Sequence, residues 1–354
     1  MANILFIDQF AQWGGGQRVA FDVLEELVHR GHKVVGALPE PGPFSDAIQR
    51  LGISVFPYFL PKLSAGKKSP LDIAKLALSM PRSAASLRRI FETNGCDRLF
   101  INGARGLLPA SISLSHSNLV FYAHLIYQGQ NQRLVTNSLL KFASRSVVSP
   151  SRAVRESLSG VASEVIPNWL RDEFLAPTVA APATGLVVGI AGRISKNKGH
   201  DLLIEALRPE LESGEVSLRV AGDSDFEDPQ FAHDLRASAP SGVEFLGTVT
   251  DMAEFYDSIS ILAVPSETES FGLVAIEAMA RARTVVASRA GGLAEMIEDG
   301  CTGWLVERTS ASLRETILSV DLKTQSAIGA AAREYALSHF SRAGNLKQVA
   351  DLFD

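Results

Sequence analysis

Apolar runs of strand length alternate along this chain with stretches whose apolar positions recur three and four residues apart. That alternation is the signature of strands and helices laid down in turn around a parallel sheet. Asn3-Ile-Leu-Phe-Ile-Asp8 predicts a buried first strand, and Val19 to Val28 a helix. A strand over His32–Leu38, a helix over Phe44–Leu51 and a strand over Ile53–Phe56 follow. Residues 61–70 are polar and predict a loop, and the helical pattern from Leu71 to Glu92 contains Pro81, which should kink or break it. Further strands are predicted over Arg98–Ile101, Asn118–Ala123, Ser146–Ser149 and Glu164–Asn168.

The pattern then lapses. Residues 176–185 carry no charge and no periodicity, so they predict a linker between domains spanning 1–175 and 186–329. Beyond it the alternation restarts, with strands over Leu186–Ala191, Leu218–Ala221, Val243–Gly247, Ile259–Val264 and Thr284–Ser288. Helices are predicted over His200–Leu207, over Met252–Ser258 and, after Ala330, to the end of the chain. The fold class is α/β: two doubly wound, Rossmann-like domains.

Composition narrows the function class. The chain has 354 residues, 46 % apolar and 21 % charged, enough for two cores. No apolar run approaches the ~18 residues of a membrane span, and Met1-Ala-Asn-Ile-Leu-Phe-Ile lacks a basic leader, so a cytoplasmic setting is expected. Cys96 and Cys301 alone make neither a disulfide framework nor a metal cluster. Charge is uneven: residues 1–175 hold 19 Lys and Arg against 13 Asp and Glu, while 176–354 hold 15 against 26. Eight of the basic residues (Lys62, Lys67, Lys68, Lys75, Arg82, Arg88, Arg89, Arg98) fall within 61–99, a density that suits either a solvated surface or contact with anionic lipid or an acidic glycan. Nothing in the pattern points to nucleic acid.

The candidate chemistry centres on Pro265-Ser-Glu-Thr-Glu-Ser-Phe-Gly-Leu-Val-Ala-Ile-Glu-Ala-Met-Ala280, a strand-to-helix turn. Its helix should begin near Phe271 and Gly272, capped by Ser270, and a helix start at the carboxyl end of a strand attracts anions such as phosphate. Glu269 lies just before the helix and Glu277 two turns into it. Two such glutamates have a plain reading as helix-dipole and surface residues. The apolar neighbours of Glu277 argue against it, because a solvated face would be more polar.

Glu269-x7-Glu277 with Ser270, Phe271, Gly272 and Leu273 between resembles the paired-glutamate motif of the retaining GT-B glycosyltransferases of family 4. The resemblance implies that Glu269 touches the donor sugar, that Glu277 holds the nucleotide ribose, and that Ser270 to Leu273 line the donor site. Gly192-Arg-Ile-Ser-Lys-Asn-Lys-Gly199 is similar to the family's Gly-Arg…Lys-Gly loop, which assigns Arg193 and Lys198 to the leaving diphosphate. Gly15 and Gly16, in a glycine-rich loop between the first strand and helix, match a pair that faces the family's interdomain cleft. His124, at a strand's carboxyl end, matches a histidine beside the reacting sugar carbon. The tail from 330 to 354 matches helices that brace the first domain.

Under this resemblance a nucleotide diphosphate sugar binds the second domain and a glycan or lipid-linked acceptor the first; the charge density of Lys62 to Arg98 separately suits contact with an anionic membrane as well as a solvated surface. No cofactor is implied, and the only Asp-x-Asp, Asp223-Ser-Asp225, is not one the family uses for metal. Ser224 and the acidic loop to Asp228 depart from the family pattern, leaving donor contacts there open. Two rivals share the scaffold's logic: an epimerase or phosphorylase using the same phosphate apparatus, and a two-domain sugar-binding protein without chemistry.

Overall fold

The computed structural model describes residues 1–61, 69–114, 118–143, 146–179, 182, 185–224 and 228–354. They form two compact units, residues 1–168 with 343–354, and residues 169–342.

In the first unit the chain runs β1 (Asn3–Asp8), α1 (Gly15–His29), β2 (Lys33–Leu38), α2 (Pro43–Arg50), β3 (Ser54–Pro57), α3 (Pro70–Thr93) and β4 (Arg98–Asn102). It continues α4 (Ala104–Ser113), β5 (Asn118–Tyr122), α5 (Gln130–Ala143), β6 (Ser146–Ser149), α6 (Arg152–Ser157) and β7 (Glu164–Val165). The seven strands are parallel in the order β3-β2-β1-β4-β5-β6-β7. Continuous apolar strands such as Ile4-Leu5-Phe6-Ile7 are what a sheet covered by helices on both faces requires, and all four side chains are buried. Strand order reverses between β1 and β4, so the loops leaving those two strands diverge and open a crevice at their carboxyl ends.

The second unit repeats the plan with β8 (Leu186–Ala191), α7 (His200–Ser213), β9 (Val216–Ala221), α8 (Pro229–Ser238), β10 (Val243–Gly247) and α9 (Met252–Asp257). Then come β11 (Ile261–Val264), α10 (Leu273–Ala280), β12 (Thr284–Ser288), α11 (Leu293–Met296), β13 (Trp304–Val306), α12 (Ser310–Ser319) and α13 (Leu322–His339). Its six parallel strands lie in the order β10-β9-β8-β11-β12-β13, with the reversal between β8 and β11. α10 is buried nearly all round, with Ala275, Ile276, Ala278, Met279 and Ala280 in the core. The closing helix α14 (Arg342–Asp351) completes the chain.

Four expectations are corrected. Pro81 does not break the helix but lies inside α3, which runs on as one element: the missing N–H removes one backbone bond from a helix 24 residues long, and Ser79 and Ser83 donate to the Leu76 and Ser79 carbonyls around it. The strand expected over Glu164–Asn168 is only two residues long, because Pro167 has no N–H for a ladder. The tail divides: α13 packs on α10 and β12 in the second unit, and only residues 343–354 belong to the first. There Phe353 is buried with its ring 5.3 Å from that of Phe100, and Arg30 donates to Asp351 (2.8 Å) and Asp354 (2.9 Å).

The fourth concerns the linker. Residues 180, 181, 183 and 184 lie outside the described residues, but its first half is held in the second unit. Arg281, buried and paired with Asp257, donates to the carbonyls of Ala176 (2.9 Å) and Pro177 (3.2 Å). Arg283 donates to Val179 O (2.5 Å), and Arg333 to Leu175 O (3.0 Å) and Ala176 O (3.2 Å). A segment with no charge of its own is tied through its backbone oxygens.

Candidate functional site

The sequence-predicted residues of the second unit gather at the carboxyl edge of its sheet, on the loops leaving β8 and β11, the pair that flanks the order reversal. The loop after β8 carries Arg193 and Lys198 and the loop after β11 carries Glu269 to Leu273. Asn197 ties the two together: its side chain accepts from Thr268 N (3.2 Å) and Oγ1 (2.7 Å) and donates to Thr268 O (3.1 Å), while its own carbonyl accepts from Glu267 N (2.7 Å). Arg308 adds a clamp from beyond β13, donating to Pro265 O (2.9 Å) and Lys196 O (3.1 Å). With the loops fixed in this way, Lys198 Nζ stands 2.5 Å from Glu269 Oε2, an ion pair that is only partly exposed. Arg193 is exposed on the same loop.

α10 begins at Leu273 rather than at Phe271, and its N-cap is Gly272 with no side-chain cap, so the expected capping by Ser270 is not what starts the helix. Gly272 has φ +106°, a conformation that L side chains avoid, and a Cβ there would lie 2.7 Å from Leu293 Cδ2. The N-cap residue thus has no side chain to cap the helix; its carbonyl accepts from Ala275 N (2.9 Å) and Ile276 N (3.4 Å), and the first turn carries the partial positive charge of a helix start. Phe271 is buried against Phe340, ring centroids 5.7 Å apart, and so anchors this turn.

Glu277 is 7 % exposed, and its Oε2 accepts a hydrogen bond from the Tyr256 hydroxyl at 2.7 Å. Tyr256 comes from α9 and is itself fully buried. The sequence predicted α9 but not this role. An aromatic residue with a polar tip on a helix preceding β11 was the available signal.

In the first unit, Gly15 and Gly16 are the first two residues of α1 rather than a loop, with Gly14 as N-cap. His124 follows β5, its ring stacked on Tyr122 at 4.4 Å with the planes 4° apart. Gly16 runs close under that ring: a Cβ there would stand 3.2 Å from its Cγ and Cδ2. Burial depresses the imidazole to a pKa of about 3, so the ring is neutral. Of the other expected features, Lys62, Lys67, Lys68 and Asp225 lie outside the described residues. Among the described residues no group of three or more His, Cys, Asp or Glu is placed to hold a metal ion, and no helix is long and apolar enough to cross a membrane.

Comparison with known proteins identifies relatives of this chain. The profile described as Glycosyl transferases group 1 matches residues 185–320, and that described as Glycosyltransferase Family 4 matches residues 13–174. An uncharacterized glycosyltransferase of Methanocaldococcus jannaschii is 31 % identical over 253 residues, which is 66 % of this chain and 68 % of that one. The D-inositol 3-phosphate glycosyltransferase of Corynebacterium kroppenstedtii is 33 % identical over 197 residues (50 % of this chain, 42 % of the relative). The lipopolysaccharide core biosynthesis mannosyltransferase of Rhizobium leguminosarum bv. viciae is 38 % identical over 134 residues (35 % and 38 %). The chain thus spans less than half the length of these last two relatives. Among solved structures, Anabaena HepE in complex with UDP-glucose superposes with a TM-score of 0.85 at 23 % identity, covering 99 % of each chain. WaaG, a glycosyltransferase involved in lipopolysaccharide biosynthesis, superposes with a TM-score of 0.73 at 16 % identity, also covering 99 % of each. The fold is thereby GT-B, and the chain belongs to the group 1, family 4 glycosyltransferases.

Proposed function

We propose that this glycosyltransferase moves a sugar from a nucleotide diphosphate donor held on the second unit to a glycan or lipid-linked acceptor taken by the first, with retention of anomeric configuration and without a metal. The observation that supports the reading is the Lys198–Glu269 pair beside the start of α10, whose N-cap Gly272 offers no side-chain cap, with the Tyr256–Glu277 pair farther along the same helix. A diphosphate arriving at the helix start meets the N–H groups and the Lys198 ammonium. Its two negative charges draw Lys198 from Glu269, which is then free to accept hydrogen bonds from the sugar's hydroxyls. Glu277, fixed through one oxygen by Tyr256, presents its carboxylate to a vicinal diol, as a ribose requires.

As the glycosidic bond breaks, the sugar takes on oxocarbenium character and negative charge grows on the departing phosphate. In this reading Lys198, Arg193 and the start of α10 stabilise that developing charge, the kind of contribution that is usually largest in catalysis. These cations and dipoles supply the stabilisation that a divalent ion supplies elsewhere. His124, neutral at the first unit's crevice, is positioned to accept a hydrogen bond from a sugar hydroxyl.

The expected setting is cytoplasmic, at an anionic membrane surface, in the assembly of cell-surface polysaccharide or lipopolysaccharide. Support comes from α3, where Leu71, Lys75, Leu78, Arg82 and Arg89 follow one another at helical spacing along an exposed stripe. Two other cations of this segment are already engaged: Arg88 with Glu92 (2.7 Å), and Arg98 with the Asp354 carbonyl (2.8 Å).

The test is release of nucleoside diphosphate from a panel of UDP- and GDP-sugars, with and without glycan or lipid-linked acceptors, in EDTA. Release only with acceptor, and a product carrying the donor's anomeric configuration by proton NMR, is expected. Release or epimerisation without acceptor would instead select the epimerase or phosphorylase reading, and binding with no turnover would select the sugar-binding protein.

A further inference from the structure

The crevice of the first sheet holds a polar chain whose members lie on adjacent strands. β1 ends in Asp8 and β4 in Asn102, directly paired in register across the order reversal, and His124 follows β5. Asp8 is 1 % exposed and Asn102 2 %. Buried polar side chains at that depth are retained only when their hydrogen bonds are made, and here the bonds point one way. The Asp8 carboxylate accepts from Asn102 Nδ2 (2.6 Å), from Gln17 Nε2 (3.2 and 3.0 Å to its two oxygens) and from Phe10 N (2.9 Å). Asn102 Nδ2 also donates to the Gly16 carbonyl (3.4 Å), which can only accept, so the Asn102 amide faces these two oxygens with its nitrogen. That leaves the Asn102 carbonyl oxygen toward His124 Nε2 at 2.5 Å, and a carbonyl can only accept. Nε2 therefore carries the ring proton.

We infer that Asp8, Asn102 and Gln17 are positioning residues for His124: they fix its orientation and its Nε2–H tautomer, so that Nδ1 is the ring atom offered to a substrate hydroxyl, and it is offered as an acceptor. Among the described residues Nδ1 has no hydrogen-bond partner, and the ring keeps some exposure. The remaining freedom of the imidazole is removed from two sides, by Tyr122, whose own hydroxyl donates to Asn168 (2.7 Å), and by the Gly16 backbone. Gln17 is the third residue of α1, so the chain also ties the start of that helix to the strand ends. The histidine is accordingly a hydrogen-bond acceptor held in place, not a proton donor. The inference rests on the reading of His124 given above, and it adds three residues which that reading does not contain.

The tautomer can be read without knowing the substrate. In full-length protein labelled with 15N-histidine, two-dimensional correlation spectra at neutral pH distinguish Nε2–H from Nδ1–H. Wild type is expected to show Nε2–H, and Asn102→Ala and Asp8→Ala a mixture of tautomers, the second because an amide released from the carboxylate can flip. Asp8→Asn, which keeps an acceptor oxygen, should restore the Nε2–H state. For the nucleotide sugar found active in the donor panel, Asn102→Ala should lower kcat by up to about 100-fold through misplacement of the ring, with donor KM changed little. An Nδ1–H wild-type ring, or an Asn102→Ala ring with unchanged tautomer, overturns the inference, and the first of these can be seen even if every variant fails to fold. Full turnover in His124→Ala with the expected tautomer would overturn the reading of His124 beneath it while leaving the tautomer assignment intact.

Discussion

At the scale of single residues, the roles proposed for the two glutamate pairs of the second unit are separable. If Glu277 holds a ribose equally in the ground and transition states, Glu277→Ala should raise donor KM by the ~1.5–3 kcal/mol of a hydrogen bond to a charged group and leave turnover largely intact. Tyr256→Phe should act in the same direction and more weakly, since it removes only the bond that orients the carboxylate (2.7 Å). Arg193→Ala and Lys198→Ala remove charges whose value grows as the diphosphate leaves, so kcat should fall by about two to three orders of magnitude. Glu269→Ala should lie between, and because Glu269 and Lys198 touch, their double mutant should cost less than the sum of the single changes. Loss of turnover at saturating donor in Glu277→Ala, with kcat intact in Arg193→Ala, would reverse these roles. The pH dependence of stability belongs to the same scale. Burial lowers His124 to about 3 and His200 to about 4. The unfolded chain, with histidines near 6.5, binds more protons below that value, so stability present above 6.5 is lost as pH falls toward 4. Burial raises Asp8 to about 7 against an ordinary 3.8, which opposes the trend by making stability fall as pH rises through that window. His200→Gln should therefore flatten the acid limb of a urea-denaturation series, and Asp8→Asn should steepen it. Identical slopes in wild type and both variants would contradict these burial effects.

Elements were legible in the sequence where periodicity and length agreed. Of the buried strands, β1, β8 and β12 appear with the bounds expected, because a parallel strand covered on both faces must be a continuous apolar run. What the pattern hid were interactions between distant segments. Ser270 reads as a cap, yet the turn is set by Gly272 at φ +106° and by Asn197 from the preceding loop, 71 residues from Thr268. Asp8 and Asn102 stand at the carboxyl ends of apolar strands just as His124 does, but their partnership depends on strand order, which composition does not encode. Residues 176–179 read as free linker because they lack charge, while the groups that hold them, Arg281, Arg283 and Arg333, sit in or beside helices 100 or more residues later. Arg281→Ala leaves half-buried Asp257 with one partner fewer, a loss of the kind that costs about 3–5 kcal/mol for a fully buried pair and less here because Asp257 is partly exposed and Arg283 remains. The variant should melt lower and be cut by protease near Ala176 in the native state, whereas resistance equal to wild type would show that other contacts hold the segment.

For the whole molecule, a net charge of −5 conceals a first half at +6 and a second at −11, and this sets how it would meet an anionic surface. The family and the doubly wound plan were both readable from motifs. The surface was read from charge density alone, and the structure changes what that density means. Arg88 and Arg98 are engaged within the protein, while Leu71 (64 % exposed) and Leu78 (83 % exposed) stand among the remaining cations of α3. Arg82 is itself folded over Phe59, 4.4 Å from the ring centroid, beside Lys75 and Leu78. Under the membrane contact proposed above, binding has two parts. Lys75, Arg82 and Arg89 contribute about 1 kcal/mol each near an anionic leaflet, a part that salt screens within about 10 Å at 0.1 M. Inserting Leu71 and Leu78 adds a part that salt does not screen, about 1.5–3 kcal/mol for each side chain fully buried. Wild-type protein should therefore sediment with phosphatidylglycerol-containing vesicles at low salt, weaken but not vanish as salt rises, and ignore purely zwitterionic vesicles. Leu78→Ser should remove most of the salt-resistant part, and as an exposed position it should change stability by no more than about 0.5 kcal/mol. Absence of binding at low salt, or binding equal on neutral and anionic vesicles, would remove α3 as a membrane-contacting element.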